Sequence, residues 1–381
     1  MFKNLRELIL SMPDEKTCRE YLASQRWQDS KPICPHCGYT GKIYTIEGGK
    51  KYKCGSPECY KKFSITVGTI FEASNIPLVK WFTAIYLITA HKKGISSYQL
   101  GRDIGVSQKS SWFMLHRIRE LMRVKQPVKL DNIVEVDETY IGGKMGNMSK
   151  SKRKHLRDND MVGTMKTGVM GLIERGGELK YIQINQATDV ATIQGIVKAN
   201  VDKDAVVITD SFASYVGLNK VFAAHEAVNH TNDEYVRDKV FHTNSVEGAF
   251  SLLKRGIIGI YHQVTPKHVL RYCDEFAYRY NSRKIKDAQR FTISLRNVEG
   301  RLTYKQLVNA PIIEKTVKPV ATKTPNNAKQ RPIAQIKDGI VINEFTGIRE
   351  AGRITGIDFR AISLVLNGKN KTTHGYEWKY L

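Results

Sequence analysis

Two short cysteine pairs constrain this chain more than any other feature. Sixteen residues separate Cys34-Pro-His-Cys37 from Cys54-Gly-Ser-Pro-Glu-Cys59. Each pair brings two sulfurs within reach of one ion. Together they complete the tetrahedral four-thiolate sphere that suits Zn²⁺. The intervening chain must double back, and Tyr39, Ile43, Tyr44 and Tyr52 suit short β-ribbons there. A ribbon this small does not fold without its metal, so structural Zn²⁺ on Cys34, Cys37, Cys54 and Cys59 is expected. His36 is a rival donor, although Cys37 is better placed. Six cysteines behind an N-terminus with no apolar leader fit a reducing, cytoplasmic setting better than a disulfide-stapled loop.

The charge balance names a class of partner. The chain has 60 Lys+Arg against 37 Asp+Glu, a net +23, which calls for a polyanion. Nucleic acid comes first and an anionic membrane surface second. No run of eighteen apolar residues suggests a membrane span. Lys42, Lys50, Lys51, Lys53, Lys61 and Lys62 would set the zinc ribbon against phosphates.

Residues 76–123 read as helices. Ser96 to Ile104, the turn Gly105-Val-Ser107, and Gln108 to Met122 give helix, glycine turn and serine-capped helix, the helix-turn-helix pattern. Gln108 and Lys109 would open the helix that meets base edges, with Arg117 and Arg119 as further DNA contacts. The plain alternative is a helical hairpin.

Residues 131–260 change to strand alternation. Asn132 to Gly143 is a strand, and Lys150 to Arg157 a basic, polar loop. Thr167–Glu174 and Leu179–Asn185 flank the hairpin signal Gly176-Gly177. A helix from Ala187 to Asn200, a buried strand Ala205–Asp210, a shorter helix and a strand near Ala227-Val-Asn229 follow. His242–Gly256 is then a helix that Asn244 or Ser245 can cap and Gly256 can end. Three strands, helix, strand, helix, strand, helix is the order of an RNase H-like mixed sheet. In that order the strand ending at Asp210 lies beside the strand bearing Asp137. Glu247 rides on a later helix that would cover their ends, and Lys254 follows about two turns on, on the same side. Converging carboxylates of this kind would hold two divalent cations, Mg²⁺ or Mn²⁺, suited to phosphodiester chemistry. Taken singly, each acid has a structural reading as a strand end or helix cap. Glu135 shares the face of Asp137 and could support it.

Residues 261–308 are helical and aromatic. Residues 314–332 are rich in Lys, Pro and Asn and read as a linker. Residues 333–381 form a small α+β module: a hairpin, two short helices around Gly356 and a closing strand. No internal repeat is evident. The expected division is 1–74 helical lead and zinc ribbon, 75–128 helix-turn-helix, 129–312 catalytic domain, 313–332 linker and 333–381 C-terminal module.

Three stretches carry a family resemblance. Val134-Glu-Val-Asp-Glu-Thr-Tyr-Ile-Gly-Gly143, Ile208-Thr-Asp-Ser-Phe-Ala-Ser-Tyr215 and His242 to Gly256 resemble the ISXO-like insertion-sequence transposases, DDE-type enzymes with an RNase H-like core. So do Tyr261–His268, Phe276–Arg283, the zinc ribbon, Gly68-Thr-Ile-Phe71 and Lys80-Trp81. The resemblance implies binding of terminal inverted repeats, DNA cleavage at element ends and strand transfer. It implies Asp137, Asp210 and Glu247 as the acidic triad and Lys254 as the basic residue after it. Asn244, one turn before Glu247, is an additional ligand or substrate contact, because some relatives use Asn as the third member. The resemblance also implies a bacterial, nucleoid-associated protein that assembles on DNA as a homo-oligomer, apart from membranes. Glu350-Ala351, Ile362, Asn367-Gly-Lys369 and Gly375–Lys379 resemble the NUMOD-type DNA-binding module appended to homing endonucleases. Two rival readings stand beside the transposase: a non-catalytic DNA-binding regulator derived from one, and a homing-type endonuclease.

Overall fold

The structure is a computed structural model. It describes residues 2–27, 31–124, 128–143, 146, 148–158, 166–184, 189–210, 213–228, 241–309, 332–368 and 370–381. The chain divides into two units, Met1–Lys315 and Thr316–Leu381.

The first unit opens with α1 (Leu5–Ser11) and α2 (Glu15–Arg26), capped by the side chains of Asn4 and Asp14. The strands β1 (Ile43–Ile46), β2 (Lys51–Cys54) and β3 (Lys62–Phe63) then pair antiparallel in that order. Next come α3 (Leu78–Ala90), α4 (Ser97–Ile104) and α5 (Gln108–Met122). Leu8, Leu22, Trp27, Phe63, Trp81 and Ile118 bury themselves in one core, joined by Phe291 from far along the chain. That core runs across residues 74 and 75 without a break, so the ribbon and the three helices fold as one body.

The five-stranded sheet follows. Its strands are β4 (Ile133–Gly142), β5 (Lys166–Glu174), β6 (Leu179–Ile184), β7 (Val206–Asp210) and β8 (Ala224–Val228), in the order β6-β5-β4-β7-β8. The β6-β5-β4 pairs are antiparallel, and β4-β7 and β7-β8 are parallel. This is the order and sense of an RNase H-like core. The segment expected as a basic loop forms a helix instead, α6 (Lys150–Asp158). Its Lys and Arg side chains are good helix formers, which a reading for charge alone overlooks. The expected short helix after Asp210 is only two 3₁₀ turns, Ala213–Tyr215 and Leu218–Lys220, parted by Gly217 at φ 98°. Ala187 and Asn229, expected within a helix and a strand, lie outside the described residues.

Alternation along the strands divides the sheet into two faces. Val134, Val136, Met170 and Leu172 pack on α7 (Val190–Asn200) through Ile193 and Val197. Ile141, Val169 and Ile173 pack on α8 (Asn244–Gly256) through Val246, Phe250 and Leu253, and on α9 (Val269–Asn281) through Cys273 and Phe276. The unit closes with α10 (Asp287–Arg296), which carries Phe291, and α11 (Tyr304–Val308).

The second unit holds β9 (Ile333–Lys337), β10 (Ile340–Phe345), α12 (Ile348–Thr355), α13 (Phe359–Leu366) and β11 (Glu377–Tyr380). Its antiparallel sheet has the order β10-β9-β11. Ile333, Phe345, Ala351, Ile362 and Trp378 form a core of its own. The expected linker lies almost wholly outside the described residues.

Candidate active site

The parallel register Ile133↔Val206, Val134↔Val207, Glu135↔Ile208, carried two residues further, sets Asp137 level with Asp210 on neighbouring strands. Both fall on the face that α8 covers. On the other side Asp137 pairs with Gly171 of β5. A Cβ at Gly171 would lie 2.8 Å from the Phe250 ring and 2.9 Å from a Val246 methyl. Glycine here lets α8 approach the sheet beside Asp137.

Glu135 fixes the start of α8. Its carboxylate is fully buried and accepts from the backbone N–H of Ser245 at 2.8 Å and of Val246 at 3.1 Å. The Ser245 hydroxyl donates to it at 2.9 Å and Arg175 Nε at 2.7 Å. The helix N-cap is thus Thr243, whose side chain makes no capping bond to the backbone, not Asn244 or Ser245, and the carboxylate of a neighbouring strand satisfies the N–H groups of Ser245 and Val246. Nor does Gly256 end the helix, which runs on into a π turn, Ile257–Tyr261. A Cβ at Gly256 would sit 2.0 Å from the Phe276 ring, so this glycine serves the contact between α8 and α9.

From that start, Glu247, Ser251, Lys254 and Ile258 recur at helical spacing along one side of α8 and its π turn. They line an open cleft of about 350 Å³ together with Asp137, Glu138, Thr139, Phe250 and Arg255. The structure therefore brings Asp137, Glu247 and Lys254 to one cleft. Asp210 stands level with Asp137 at the end of its strand, and Asn244 is exposed at the first position of the helix, outside the cleft lining. Thr243 donates its hydroxyl to Glu247 Oε1 at 3.0 Å, and Asp137 Oδ1 accepts from the Glu138 N–H at 2.7 Å. The three acids do not share one tight cluster. Among the described residues, the cysteine site alone gathers three or more ligand atoms within 4.8 Å of one another.

Glu138 was not singled out from sequence, where it only competed with Asp137. Burial pushes its carboxyl up to about 7, and the charges of Asp210 and Asp137 push the same way. The Tyr215 hydroxyl donates to it. The signal that could have found Ser251 and Ile258 was the four- and seven-residue steps onward from Glu247 and Ser251.

In the ribbon, the sulfurs of Cys34, Cys37, Cys54 and Cys59 lie within 4.8 Å of one another, with Cys34–Cys59 at 3.8 Å and Cys37–Cys54 at 3.7 Å. Two tight turns present them: the Gly38 N–H returns to Cys34 O, and the Cys59 N–H to Ser56 O. Four thiolates at this spacing fit a structural Zn²⁺.

Residues 129–281 match the ISXO2-like transposase domain, and residues 13–62 match the transposase zinc-ribbon domain. An uncharacterized protein in transposable element ISH50 of Halobacterium salinarum is 30% identical over 256 residues, spanning 65% of this chain and 84% of that protein. The chain belongs to the ISXO2-like transposases. A chain of a simian T-cell lymphotropic virus intasome, solved in complex with PP2A regulatory subunit B56 gamma, aligns at 13% identity over 65% of this chain and 82% of its own. Its TM-score is 0.22.

The transposase carries α4 and α5 around Gly105, a left-handed residue at φ 64°, with Ser107 capping α5. Gln108 and Lys109 are exposed at the start of α5. Gln108 Nε2 donates to Ser97 Oγ at 2.9 Å, and the Lys109 ammonium sits 5.5 Å from the Tyr304 ring centre. Arg117 and Arg119 do not join them. They are 4% and 2% exposed. Arg117 donates to Glu72 O at 2.5 Å, and Arg119 Nε to Glu275 Oε2 at 2.6 Å. Arg117 lies about two and a half turns after Gln108, on the opposite side of α5, whereas Arg119, about three turns after Gln108, is covered by α9 through its ion pair with Glu275. Neither arginine can serve as a DNA contact, contrary to the expectation from charge.

The C-terminal unit repeats this turn, although no repeat is visible in the sequence. Both α4 and α12 have 8 residues and end in a left-handed glycine, Gly105 at φ 64° and Gly356 at φ 73°. Four residues earlier each has a second glycine. A Cβ at Gly101 would meet Val106 O at 2.9 Å, and one at Gly352 would meet Ile357 O at 3.0 Å. In both, the close approach lets the following helix pack back across the first.

Proposed function

We propose that this transposase binds the terminal inverted repeats of its element and catalyses DNA cleavage and strand transfer at the cleft between β4 and α8. The observation that carries the reading is the meeting of Asp137, Glu247 and Lys254 on one cleft, with Asp210 level with Asp137. Asp137, Asp210 and Glu247 would hold Mg²⁺ or Mn²⁺, for which an all-oxygen donor set is suited. Such a cation supplies activation of the attacking oxygen and stabilisation of the leaving oxygen of a phosphodiester. Lys254 then holds a DNA phosphate beside the acids, and Asn244 is the additional ligand or substrate contact at the head of the same helix. Gln108 and Lys109, exposed on α5, read the element ends. The repeated glycine turn of α12–α13 supports a second DNA-binding role for residues 333–381. An element has two ends, so the protein works as a homo-oligomer assembled on DNA, in the nucleoid. No helix among the described residues is long and apolar enough to cross a membrane.

The test is a reaction of the purified chain with a fragment carrying the element end and a target plasmid, with and without Mg²⁺. Metal-dependent cleavage at the end followed by joining is expected. Cleavage without joining would point to an endonuclease, and binding without cleavage to a regulator.

A further inference from the structure

The helix α6 has no part in the cleft lining or in the helix-turn-helix. Its sequence, Lys-Ser-Lys-Arg-Lys-His-Leu-Arg-Asp, holds five Lys and Arg against one acid, its last residue, and has a single aliphatic residue. Lys150, Arg153, Lys154 and Arg157 recur at steps of three, four and seven residues, so they form one stripe along the helix. In an ordinary surface helix that stripe is apolar and packs on the core. Here it is cationic, with Lys150, Lys154 and Arg157 exposed and Arg153 half-buried. Lys150–Lys154 and Arg153–Arg157 are like-charge neighbours one turn apart, which disfavours so short a helix unless a polyanion neutralises it.

Its place in the fold says which polyanion. The segment that holds α6 joins β4 to β5 at the Gly142↔Lys166 end of their pairing. This is the end toward which β4 runs after Asp137, and where the parallel β7 ends at Asp210. The stripe and the acids therefore belong to the same end of the sheet.

We infer that α6 grips the phosphate backbone of duplex DNA beside the cleft, through the stripe Lys150, Arg153, Lys154 and Arg157. This rests on the reading of the cleft as a DNA-processing site. The stripe offers point charges and guanidinium forks to phosphates. It therefore adds affinity without sequence preference, unlike the α5 contacts.

The experiment measures the salt dependence of binding by the full chain, on a duplex carrying the element end and on one of random sequence. The quadruple variant Lys150→Gln, Arg153→Gln, Lys154→Gln and Arg157→Gln removes the charges and keeps polarity and helix propensity. Each phosphate contact contributes about 0.9 to the slope of log K against log salt, so loss of four should lower the slope by about 3.6 on both duplexes. Lys154→Gln with Arg157→Gln alone should give about half that fall. An unchanged slope in the variants, with the wild type steep, overturns the role of α6 and leaves the DNA-processing reading standing. A variant that keeps the slope but loses self-association also overturns it and assigns the stripe to a protein contact. A wild type with no salt dependence overturns both readings.

Discussion

At the scale of single residues, the contact between α5 and α9 holds groups whose charge is set by burial. His116 is fully buried, with neither ring nitrogen bonded to a protein atom, and its ring centre lies 4.7 Å from that of His268. Burial, then the charges of Lys267 and Arg119, holds His268 down at about 4. Burial and Arg119 hold His116 lower still. Both are neutral in the folded state, whereas in the unfolded chain they take up protons near the ordinary value of about 6.5. The unfolded state therefore binds more protons as pH falls from 6.5 through 4. The stability from keeping His268 neutral is full above 6.5 and lost across that window, on the order of 2 kcal/mol. Urea unfolding at pH 7 and pH 4.5 should show His268→Phe losing less stability on acidification than wild type. Equal losses would mean that this histidine is not held neutral.

At the scale of elements, each piece near the cleft is fixed by a partner distant in sequence. Glu135 fixes α8, and substituting it tests that account. Glu135→Gln leaves Arg175 facing a neutral amide and weakens the cap, and should cost about 3 kcal/mol in urea unfolding. A loss below about 1 kcal/mol would reduce Glu135 to a bystander. The ribbon is a second such case: its strands have only 4, 4 and 2 residues, and its Phe63 belongs to the core shared with α1–α5 and α10. Removing zinc with a chelator, or substituting Cys34→Ser, should lower the thermal transition of the whole first unit, because the ribbon is too small to hold without its metal. An unchanged transition, with no zinc found by metal analysis, would refute the four-thiolate site.

Such elements mark what was legible in the sequence. The cysteine spacing, the strand and helix order and the acid-bearing strands are local patterns, and each could be read. The cap by Glu135, the close approaches at Gly171 and Gly256 and the burial of Arg117 and Arg119 could not. Each depends on which face of one element meets another, and charge alone pointed the two arginines outward.

At the scale of the molecule, the first unit contains the ribbon, the helix-turn-helix and the cleft, and the C-terminal unit has its own core. A chain ending at Lys315 should keep its zinc and a cooperative thermal transition, and should bind DNA more weakly. Aggregation of that fragment would show that its core needs residues 316–381. The most direct measurement for the whole account is cleavage of end-bearing DNA in Mg²⁺ by Asp137→Asn, beside wild type, at protein concentrations that saturate the DNA. The substitution preserves size and removes one carboxylate charge. The account predicts wild-type binding and a cleavage rate lower by about a hundredfold or more, because charge stabilisation at the reacting phosphate is lost. Glu247→Gln should behave alike, and Lys254→Ala should lose less. If Asp137→Asn cleaves at the wild-type rate, the cleft between β4 and α8 is not the active site.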